Sequence, residues 1–380
     1  MSKHILIVTH GFYPEQSPRS FRATELAKEF CRQGHRVTVI APYREATATL
    51  ATACGFEYKS LGRLTWSIFN FRSLGFVGRL YNKGVNRLLP LLLEYPMMEL
   101  FFKVRKALKK ERTPYDLLIS IAVPYAIHWG VASNWRKDNS RKMARVWVAD
   151  CGDPYCLQEN DTFRPPVYFR WVEKWFMRKA DFISIPTEQS IAGYFPEFHP
   201  KMRVIPQGFR FEKGKQLLVK DDGVVRFGYG GSFISGRRDP NRLLEFLCSL
   251  DESYRFEFHV YTSQQSFVLP YARRDSRICW HDPIPRVDLL GVFSSFDFLV
   301  NFSNQGRAQT PSKLIDYAIL DKPVLNIDTP VLDTNRVFSF LKGDYRERLV
   351  LENTEEYRIE KVSGRFLDLL NEISAGDKEG

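Results

Sequence analysis

The sequence lacks long apolar runs, clustered cysteines and a glycine-rich dinucleotide motif, and each absence excludes a class of protein. No segment approaches the roughly 18 uncharged apolar residues of a membrane-spanning helix, so we expect no such helix. The six cysteines are scattered, with neither a CxxC pair nor metal-ligand spacing, which is typical of a reduced, cytosolic protein. The first residues lack the basic region and apolar core of a signal peptide, so export is not expected either.

What is present favours a globular chain of two domains. Hydrophobic residues make up 44% of the 380 residues and charged residues 26%, which is typical of folded, water-soluble domains. This length exceeds the size at which one core stops growing, so two domains of roughly 150 to 200 residues are expected. A polar segment, 212–223, separates two series of strand and helix patterns. The predicted domains are therefore 1–210 and 211–360, followed by a closing helix and tail at 361–380.

The first series opens with a strand–helix–strand unit. Residues 5–8 are a continuous apolar run, as a buried parallel strand requires. A helical pattern then ends at Gly34, and the next strand is predicted at 37–40. The loop 11–20 lies at the carboxyl end of the first strand, where open α/β sheets bind ligands, so Gly11 is a candidate ligand contact.

The same alternation continues along the chain. Further strands are predicted at 116–120, 146–150 and 182–185, with a strand and a turn at 203–209. The second series begins at 224–232 and continues with strands at 256–260 and 297–302, and helices are predicted near 243–247, 287–296 and 362–373. Alternating strands and helices indicate parallel sheets. The predicted fold class is α/β, with two Rossmann-like domains facing across a cleft.

A basic, aromatic-rich stretch covers residues 60–112. It contains eleven Lys and Arg against three Glu, interleaved with Trp, Phe and Leu, in a chain whose formal net charge is +11. Such a stretch, if helical, suits the surface of an anionic membrane. Core-packing helices with solvated basic faces explain it equally well. No recognised nucleic-acid module accompanies the basic residues, so we do not expect nucleic-acid binding.

Residues 310–325 combine the features of an anion site. Ser312 can cap a helix, Lys313 stands in its first turn and Asp316 in the next. The N-terminus of a helix offers unpaired N–H groups and a partial positive charge, to which Lys313 adds a full one. Asp316 can accept hydrogen bonds from sugar hydroxyls, so a nucleoside diphosphate with its ribose fits this order of groups. An ordinary capped helix between two buried strands is the alternative.

Four groups of residues form an ordered set along nearly the whole chain. They are Ile5 to Val8 with Tyr13-Pro14 and Gly34-His35-Arg36-Val37; Lys179-Ala180-Asp181 leading to Val204-Ile205-Pro206-Gln207-Gly208; Gly230-Gly231-Ser232-Phe233; and Pro311-Ser312-Lys313-Leu314 with Asp316-Tyr317 and Lys322-Pro323-Val324. In this order they resemble glycosyltransferases of family 4, which have the GT-B fold, and among these the enzymes that assemble surface polysaccharides.

The resemblance implies transfer of a sugar from a nucleotide diphosphate sugar, with retention, to a glycan or lipid-linked acceptor. It assigns the donor mainly to the C-terminal domain and the acceptor to the N-terminal domain. Such enzymes need neither a metal nor a cofactor, because basic side chains and helix N-termini stabilise the diphosphate leaving group. Arg238 and Lys313 are the candidate catalytic cations here, with Arg237 as the alternative to Arg238. Gly231 and Ser232 are expected beside the donor.

The sequence departs from the family at a pair of glutamates with seven residues between them. Asp316 takes the second position, but Ala308 stands where the first glutamate is expected. Holding the donor sugar then falls to neighbouring side chains or to the loop backbone, or this contact is lost. The other donor contacts are predicted at Asn304, Gln305, Thr310, Pro311 and Ser312.

Two residues of the N-terminal domain are further candidate catalytic residues. His128 follows a predicted strand by a short loop, where related enzymes place a histidine near the sugar; a structural histidine is the alternative. Asp153 belongs to a segment that resembles the Asp-x-x-Asp of polysaccharide-assembly transferases. It can bind acceptor hydroxyls or act as a base, and capping a turn is its alternative.

The main hypothesis is a sugar transferase, peripheral at the inner face of the cell membrane. A catalytically inactive GT-B partner subunit is the first alternative, because Ala308 replaces a family glutamate. A nucleotide-sugar epimerase, which shares the fold, is the second.

Overall fold

The chain divides into two α/β units in the computed structural model. Unit 1 contains Met1–Arg210 and Glu356–Gly380, and unit 2 contains Phe211–Glu355. The structure describes residues 2–15, 17–67, 85–135, 143–157, 165–211, 222–236, 238–303, 312–328, 331–350 and 353–376. The chain passes between the units at Arg210–Phe211 and its last helix belongs to unit 1, so the second unit ends a few residues before the predicted position 360.

Unit 1 is built on a seven-stranded parallel sheet in the order β3-β2-β1-β4-β5-β6-β7. The strands are β1 (His4–Thr9), β2 (Arg36–Ala41), β3 (Glu57–Ser60), β4 (Tyr115–Ile121), β5 (Ala144–Asp150), β6 (Phe182–Ile185) and β7 (Met202–Val204). The central strands are apolar and almost wholly buried, as a sheet covered on both faces requires. The edge strand β3 was not predicted, because its polar, half-exposed sequence gives no apolar run.

The helices of unit 1 cover both faces of this sheet. They are α1 (Pro18–Arg32), α2 (Glu45–Cys54), α3 (Met98–Lys110), α4 (Ala126–Ala132), α5 (Val167–Lys179) and α11 (Ile359–Gly376), with a further helical segment at 85–93 and 3₁₀ turns at Glu188–Gly193, Pro196–Lys201 and Thr354–Tyr357. Helix α1 starts sharply because the Ser17 side chain accepts a hydrogen bond from the Ser20 N–H at 3.2 Å.

The closing helix α11 packs on the sheet of unit 1. Val362 and Phe366 are fully buried in the same cluster as Ile5 and Ile7 of β1. Gly208 leaves room for this helix, since an added Cβ there would lie 2.5 Å from Ile359 Cδ1. In the strand and turn predicted at 203–209, strand β7 ends at Val204 and Phe209 forms an isolated bridge with Arg358.

Unit 2 contains a five-stranded parallel sheet in the order β10-β9-β8-β11-β12. The strands are β8 (Val225–Gly230), β9 (Phe256–Tyr261), β10 (Ile278–His281), β11 (Phe298–Phe302) and β12 (Val324–Ile327). The helices are α6 (Asn241–Ser249), α7 (Leu269–Ala272), α8 (Arg286–Phe293), α9 (Ser312–Ile319) and α10 (Thr334–Leu341), and a 3₁₀ turn lies at Gln265–Phe267. The short edge strand β10 was missed by the sequence analysis.

Candidate functional site

The carboxyl ends of β8 and β11 meet in the middle of the unit 2 sheet. The chain leaves β8 for β9 on one side, while β11 lies on the other side, so this is the point where the strand order reverses and open α/β sheets bind ligands. Helix α9 begins here at Ser312. Its Tyr317 hydroxyl accepts a hydrogen bond from the Gly230 N–H at 3.4 Å. Helix α9 and the end of β8 therefore belong to one site.

The turn after β8 brings bare backbone to this site. Gly231 has φ of 146°, a conformation that favours glycine, and its N–H donates to the Tyr261 carbonyl at 3.0 Å. The Tyr229 hydroxyl donates to the carbonyl of Ser232 at 2.9 Å, and Ser232 itself is exposed. The structure thus places Gly231 and Ser232 at the strand end, where a ligand can approach the main chain closely.

Arg238 lies in the loop that continues this turn. Its carbonyl accepts from the Ile234 N–H at 3.1 Å, and the Asp239 carboxylate fixes the loop by accepting from the Gly236 and Asn241 N–H groups. The Nε of Arg238 is buried, yet it has no hydrogen-bond partner among the described residues. Because a buried N–H without a partner is destabilising, this arrangement favours an anionic ligand at Arg238.

Asp316 is engaged by an arginine that the sequence analysis did not select. Arg286, at the start of α8, donates from Nε to Asp316 Oδ1 at 2.8 Å and makes a second, shorter contact to the same oxygen. Burial raises the pKa of Asp316 above its ordinary value, and the Arg286 charge only partly offsets this. Arg286 thus adds a cation beside the predicted ribose contact. No spacing rule connects two residues thirty positions apart, so the sequence held no signal for this pair.

Several predicted donor contacts lie outside the described residues. These are Arg237, Asn304, Gln305, Thr310 and Pro311, together with Ala308. For Ser312 and Lys313 the structure gives the backbone position, the first turn of α9, and nothing of the side chains. Their roles therefore stay predictions.

Gly11 lies at the carboxyl end of β1 in unit 1, within a tightly packed loop. The Thr9 hydroxyl donates to its carbonyl at 3.0 Å. An added Cβ would lie 3.3 Å from both Glu15 Oε1 and the Ser20 nitrogen, so a side chain here would press on the start of α1. The structure places Gly11 in the core of its loop rather than at an exposed surface.

A buried ion pair, also missed from the sequence, lies at the carboxyl end of β5 in the same sheet. Asp150 accepts from Arg22 Nε at 2.6 Å, from Arg22 Nη2 at 2.7 Å and from the Ser184 hydroxyl at 2.6 Å. Arg19 approaches the same carboxylate at 3.5 Å. Although burial by itself raises the pKa of Asp150, the charges of Arg22 and Arg19 outweigh it and hold that pKa below its ordinary value. Asp150 is therefore an anion that positions two cations.

Gly152 is what allows Arg19 to lie at this strand end. A Cβ added to Gly152 would lie 1.5 Å from Nη2 of Arg19, so no side chain fits without displacing the guanidinium. Arg19 keeps 20% of its side chain exposed. It is the cation of this ion-pair cluster that a ligand can reach.

His128 is a core residue, which agrees with the structural histidine given as its alternative, and its catalytic role stays a prediction. Its ring is fully buried in α4; Nδ1 lies 2.8 Å from the Ser120 hydroxyl and Nε2 lies 3.5 Å from the Cys151 sulfur. It stacks on Phe176 with ring centroids 5.1 Å apart. Burial lowers the pKa of His128 to about 3, so it is neutral at physiological pH. Helix α4 begins at Ala126 and all seven of its residues are buried, which the strand–loop pattern did not reveal.

Asp153 is exposed and lines a cavity of about 540 Å³. Its carbonyl accepts from the Tyr125 hydroxyl at 2.6 Å, which holds the turn in place. On another wall Glu94 accepts from the Tyr155 hydroxyl at 2.6 Å, and burial raises the pKa of Glu94. The cavity, which we call the Asp153 cavity, therefore presents two carboxyl groups and two tyrosines, a set suited to sugar hydroxyls. Its other lining residues are Arg87, Pro90, Leu91, Val123, Pro154 and Pro165.

Neither a metal site nor a membrane-spanning helix is found among the described residues. The His, Cys, Asp and Glu side chains described by the structure form no group of three that could hold a metal ion. Over the same part of the chain, each helix is too short or too polar to cross a bilayer.

Comparison with known proteins places this geometry in a family. Residues 20–208 match the family model of the glycosyl transferase 4-like domain, whereas no curated protein sequence matches the chain. Among solved structures, a glycosyltransferase from Rickettsia africae ESF-5 superposes with a TM-score of 0.62 at 10% identity, covering 98% of both chains. Anabaena Alr3699/HepE in complex with UDP gives 0.56 at 12% identity over 100% of both.

A structure with a different activity is also similar. The UDP-GlcNAc 2-epimerase from Methanocaldococcus jannaschii gives a TM-score of 0.58 at 10% identity, covering 97% of this chain and 99% of its own. At such identities these likenesses establish the fold alone. With the match of residues 20–208 to the family model and two parallel Rossmann-like sheets, they show that the chain has the GT-B fold and that these residues form a glycosyl transferase 4-like domain.

Proposed function

We propose that the protein transfers a sugar, with retention, from a nucleotide diphosphate sugar to a glycan or lipid-linked acceptor in surface polysaccharide assembly. The observation that carries this is the convergence on one strand end of unit 2. The bare turn at Gly231, the unpaired Nε of Arg238 and the start of α9 all lie there. This combination suits a diphosphate, which needs N–H donors and positive charge together.

The reaction breaks the bond between the anomeric carbon and the diphosphate oxygen, and forms one to an acceptor hydroxyl oxygen. Negative charge develops on the departing diphosphate, and the acceptor hydroxyl loses its proton. Lys313 and Arg238 are proposed to stabilise that charge, since cations aimed at a leaving group lower the barrier most. Side chains and helix N-termini supply the charge, so we propose a metal-independent reaction without a cofactor.

Arg286 and Asp316 extend this donor site. Asp316 Oδ1 already accepts a hydrogen bond from Arg286. We therefore propose that Arg286 positions the Asp316 carboxylate, which binds the ribose hydroxyls. Asn304, Gln305 and Thr310 are proposed to hold the sugar, because Ala308 cannot. The acceptor is assigned to unit 1, where the Asp153 cavity offers carboxylates that can accept from hydroxyls.

The test is a panel of nucleotide sugars and nucleoside diphosphates, measured by calorimetry and by slow donor hydrolysis. We expect one nucleoside diphosphate to bind and its sugar conjugate to be hydrolysed. Arg238→Gln should weaken that binding about tenfold or more, since one charge-assisted contact is lost. Arg273→Gln, a matched change of an exposed arginine elsewhere in unit 2, should leave it unchanged. No affinity for any member of the panel would contradict the proposal and favour an inactive partner subunit.

A nucleotide-sugar epimerase is the second candidate, because the fold of such an enzyme superposes on this chain. Isomerisation of a nucleotide sugar in the absence of an acceptor would identify it. Transfer to an added acceptor, with the nucleoside diphosphate released, would identify the transferase instead.

We also propose that residues 60–112 hold the protein at the inner face of the cell membrane. In the described part of this stretch, α3 buries Leu100, Val104 and Leu108 and exposes Phe102 among basic residues. One face thus packs in the core while the other carries cations, so both interpretations of the sequence apply to the same helix. Binding to phosphatidylglycerol vesicles, weakened by salt, is the expected result; a protein that ignores such vesicles would contradict it.

A further inference from the structure

A polar pocket opens on unit 1 at the amino edge of its sheet. It has a volume of about 630 Å³ and lies where the chain enters β4 and β5, since Pro114 and Met143, which precede these strands, both line it. The carboxyl ends of the strands, where open α/β sheets bind ligands, are about 20 Å away along β4. The pocket is therefore separate from the ion-pair cluster at Asp150, and it shares no lining residue with the Asp153 cavity.

Three cations surround this pocket. Arg105 and Lys109 stand one turn apart near the end of α3, and Arg112 follows the helix; all three are exposed and line the pocket. Their side chains make no hydrogen bond or ion pair with any other residue that the structure describes. By contrast Glu111, the acidic residue of the lining, already accepts from Lys59 Nζ at 2.7 Å and from two backbone N–H groups. The pocket thus offers positive charge that no described group neutralises.

The ends of the helices do not account for these cations. The last carbonyls of α3 carry a partial charge equivalent to about half a negative charge, which Lys110 in the last turn can match. The end of α4, on the opposite wall, is matched by Lys179, whose Nζ donates to the Ala132 carbonyl at 2.8 Å. Asn134 ties the two walls together by donating from Nδ2 to the Arg105 carbonyl at 3.2 Å. A fixed pocket with surplus positive charge favours an anion.

A phosphate is the anion that matches the pocket best. Guanidinium groups bind phosphate oxygens through pairs of parallel hydrogen bonds, and two of the three cations are arginines. A phosphate monoester carries about two negative charges near neutral pH, so it matches three cations better than a carboxylate does. Phe102 lies one turn before Arg105 on α3 and exposes 52% of its surface. An apolar side chain beside the pocket suits a phosphate carried by a lipid, while the pocket alone suits a free one.

We propose that this Arg112 pocket binds a phosphate monoester or diphosphate group through Arg105, Lys109 and Arg112. The group belongs either to the head of an anionic lipid or to a small soluble phosphate. The site lies outside the proposed donor and acceptor sites and needs no sugar transfer in order to bind its ligand.

Inorganic pyrophosphate is the probe, measured by calorimetry on the full chain carrying Arg238→Gln, so that the proposed donor site contributes little. Arg105→Gln combined with Arg112→Gln should weaken pyrophosphate binding at least about tenfold, since two charge-assisted contacts are lost. Lys106→Gln combined with Lys110→Gln removes the same charge from exposed positions of the same helix. This lysine variant should change the affinity less than about twofold at physiological salt, which screens charges outside the pocket. Because all four side chains are exposed, neither pair should alter stability in urea.

Vesicles of phosphatidylcholine with and without phosphatidic acid distinguish the two sources of the phosphate. If it belongs to a lipid, the pocket variant loses binding to phosphatidic acid vesicles about tenfold more than the lysine variant, and pyrophosphate competes for the wild-type protein. If it is soluble, the two variants bind the vesicles equally and only the pocket variant loses pyrophosphate. Equal losses of both ligands in the two variants would show diffuse charge and overturn the proposal, as would full affinity of the pocket variant for both ligands.

The result for the Arg112 pocket is separable from the result for the proposed function. Pyrophosphate bound in the pocket of a protein that binds no nucleoside diphosphate would contradict the transferase and support this site. Nucleoside diphosphate binding, with unchanged pyrophosphate affinity in the pocket variant, would overturn the pocket alone.

Discussion

Replacing Asp150 by asparagine should strongly destabilise unit 1. The carboxylate is 1% exposed and accepts hydrogen bonds from two nitrogens of Arg22 and from Ser184. Asparagine keeps the shape but removes the charge, and its NH₂ group would face donors wherever it points. Arg22 is 3% exposed and would lose one of its two hydrogen bonds to residue 150, while it keeps those to the carbonyls of Ile205 and Pro206. Asp150→Asn thus leaves a buried cation without a counter-charge.

The expected loss follows from that burial. Breaking a buried ion pair by removing one partner lowers the free energy of unfolding by about 3–5 kcal/mol. Ser184→Ala removes one hydrogen bond to the carboxylate and should cost about 1.5–3 kcal/mol. Glu372→Gln breaks an ion pair with Arg203 whose side chains are both more than a third exposed, and should cost less than about 1 kcal/mol.

Tryptophan fluorescence in urea is a suitable assay, because six of the seven tryptophans belong to unit 1. The order of the three losses is the critical result. If Asp150→Asn were no more destabilising than Glu372→Gln, the cluster would not be an energetically coupled ion pair, and the argument from burial would be wrong.

Further predictions concern the site and the pH dependence. Lys313→Ala should lower turnover by about a hundredfold or more, the scale of one lost leaving-group contact, with Lys313→Arg less affected; wild-type-like turnover would remove Lys313 from the mechanism. Gly152→Ala should destabilise unit 1 in urea by about 1–3 kcal/mol, because its Cβ would overlap Arg19, whereas Gly364→Ala, where an added Cβ meets nothing, should not. His128 has a lowered pKa, so the stability it contributes is present above about pH 6.5 and is lost as the pH falls toward about 3; His128→Asn should flatten part of that urea-measured decline.

The strands that carry the sites were predictable because they are buried on both faces. Residues 5–8 are a continuous apolar run and 116–120 contain the run Leu117-Leu118-Ile119, and the structure places them side by side as β1 and β4. The edge strands β3 and β10 were missed, because half-exposed strands of four residues carry no such run. The short turn motif at Gly230-Gly231 was also predictable, since a glycine at a strand end is itself a backbone signal.

The charged partners of the sites could not be predicted from spacing. Arg22 and Asp150 are 128 positions apart, and only the order of strands in the sheet brings them together. The burial of His128 was unpredictable for a different reason. The sequence shows that it follows a strand, but not that every residue of the seven-residue helix α4 is buried, because so short a segment shows no clear periodicity.

The strand end at Asp150 in unit 1 and the strand end at Gly231 in unit 2 differ in the charge that they leave for a ligand. This difference supports the proposed assignment of the two substrates to the two units. In unit 1 Arg22 and Arg19 both face Asp150, so one of their two charges is compensated within the protein. In unit 2 the buried Nε of Arg238 has no partner in the described part of the chain. A diphosphate gains more from the second environment, because its charge meets an unsatisfied donor rather than one already paired. Neutral hydroxyls suit the first, where the carboxyl groups of Asp153 and Glu94 accept hydrogen bonds. This difference supports the proposal that the donor binds to unit 2 and the acceptor to unit 1.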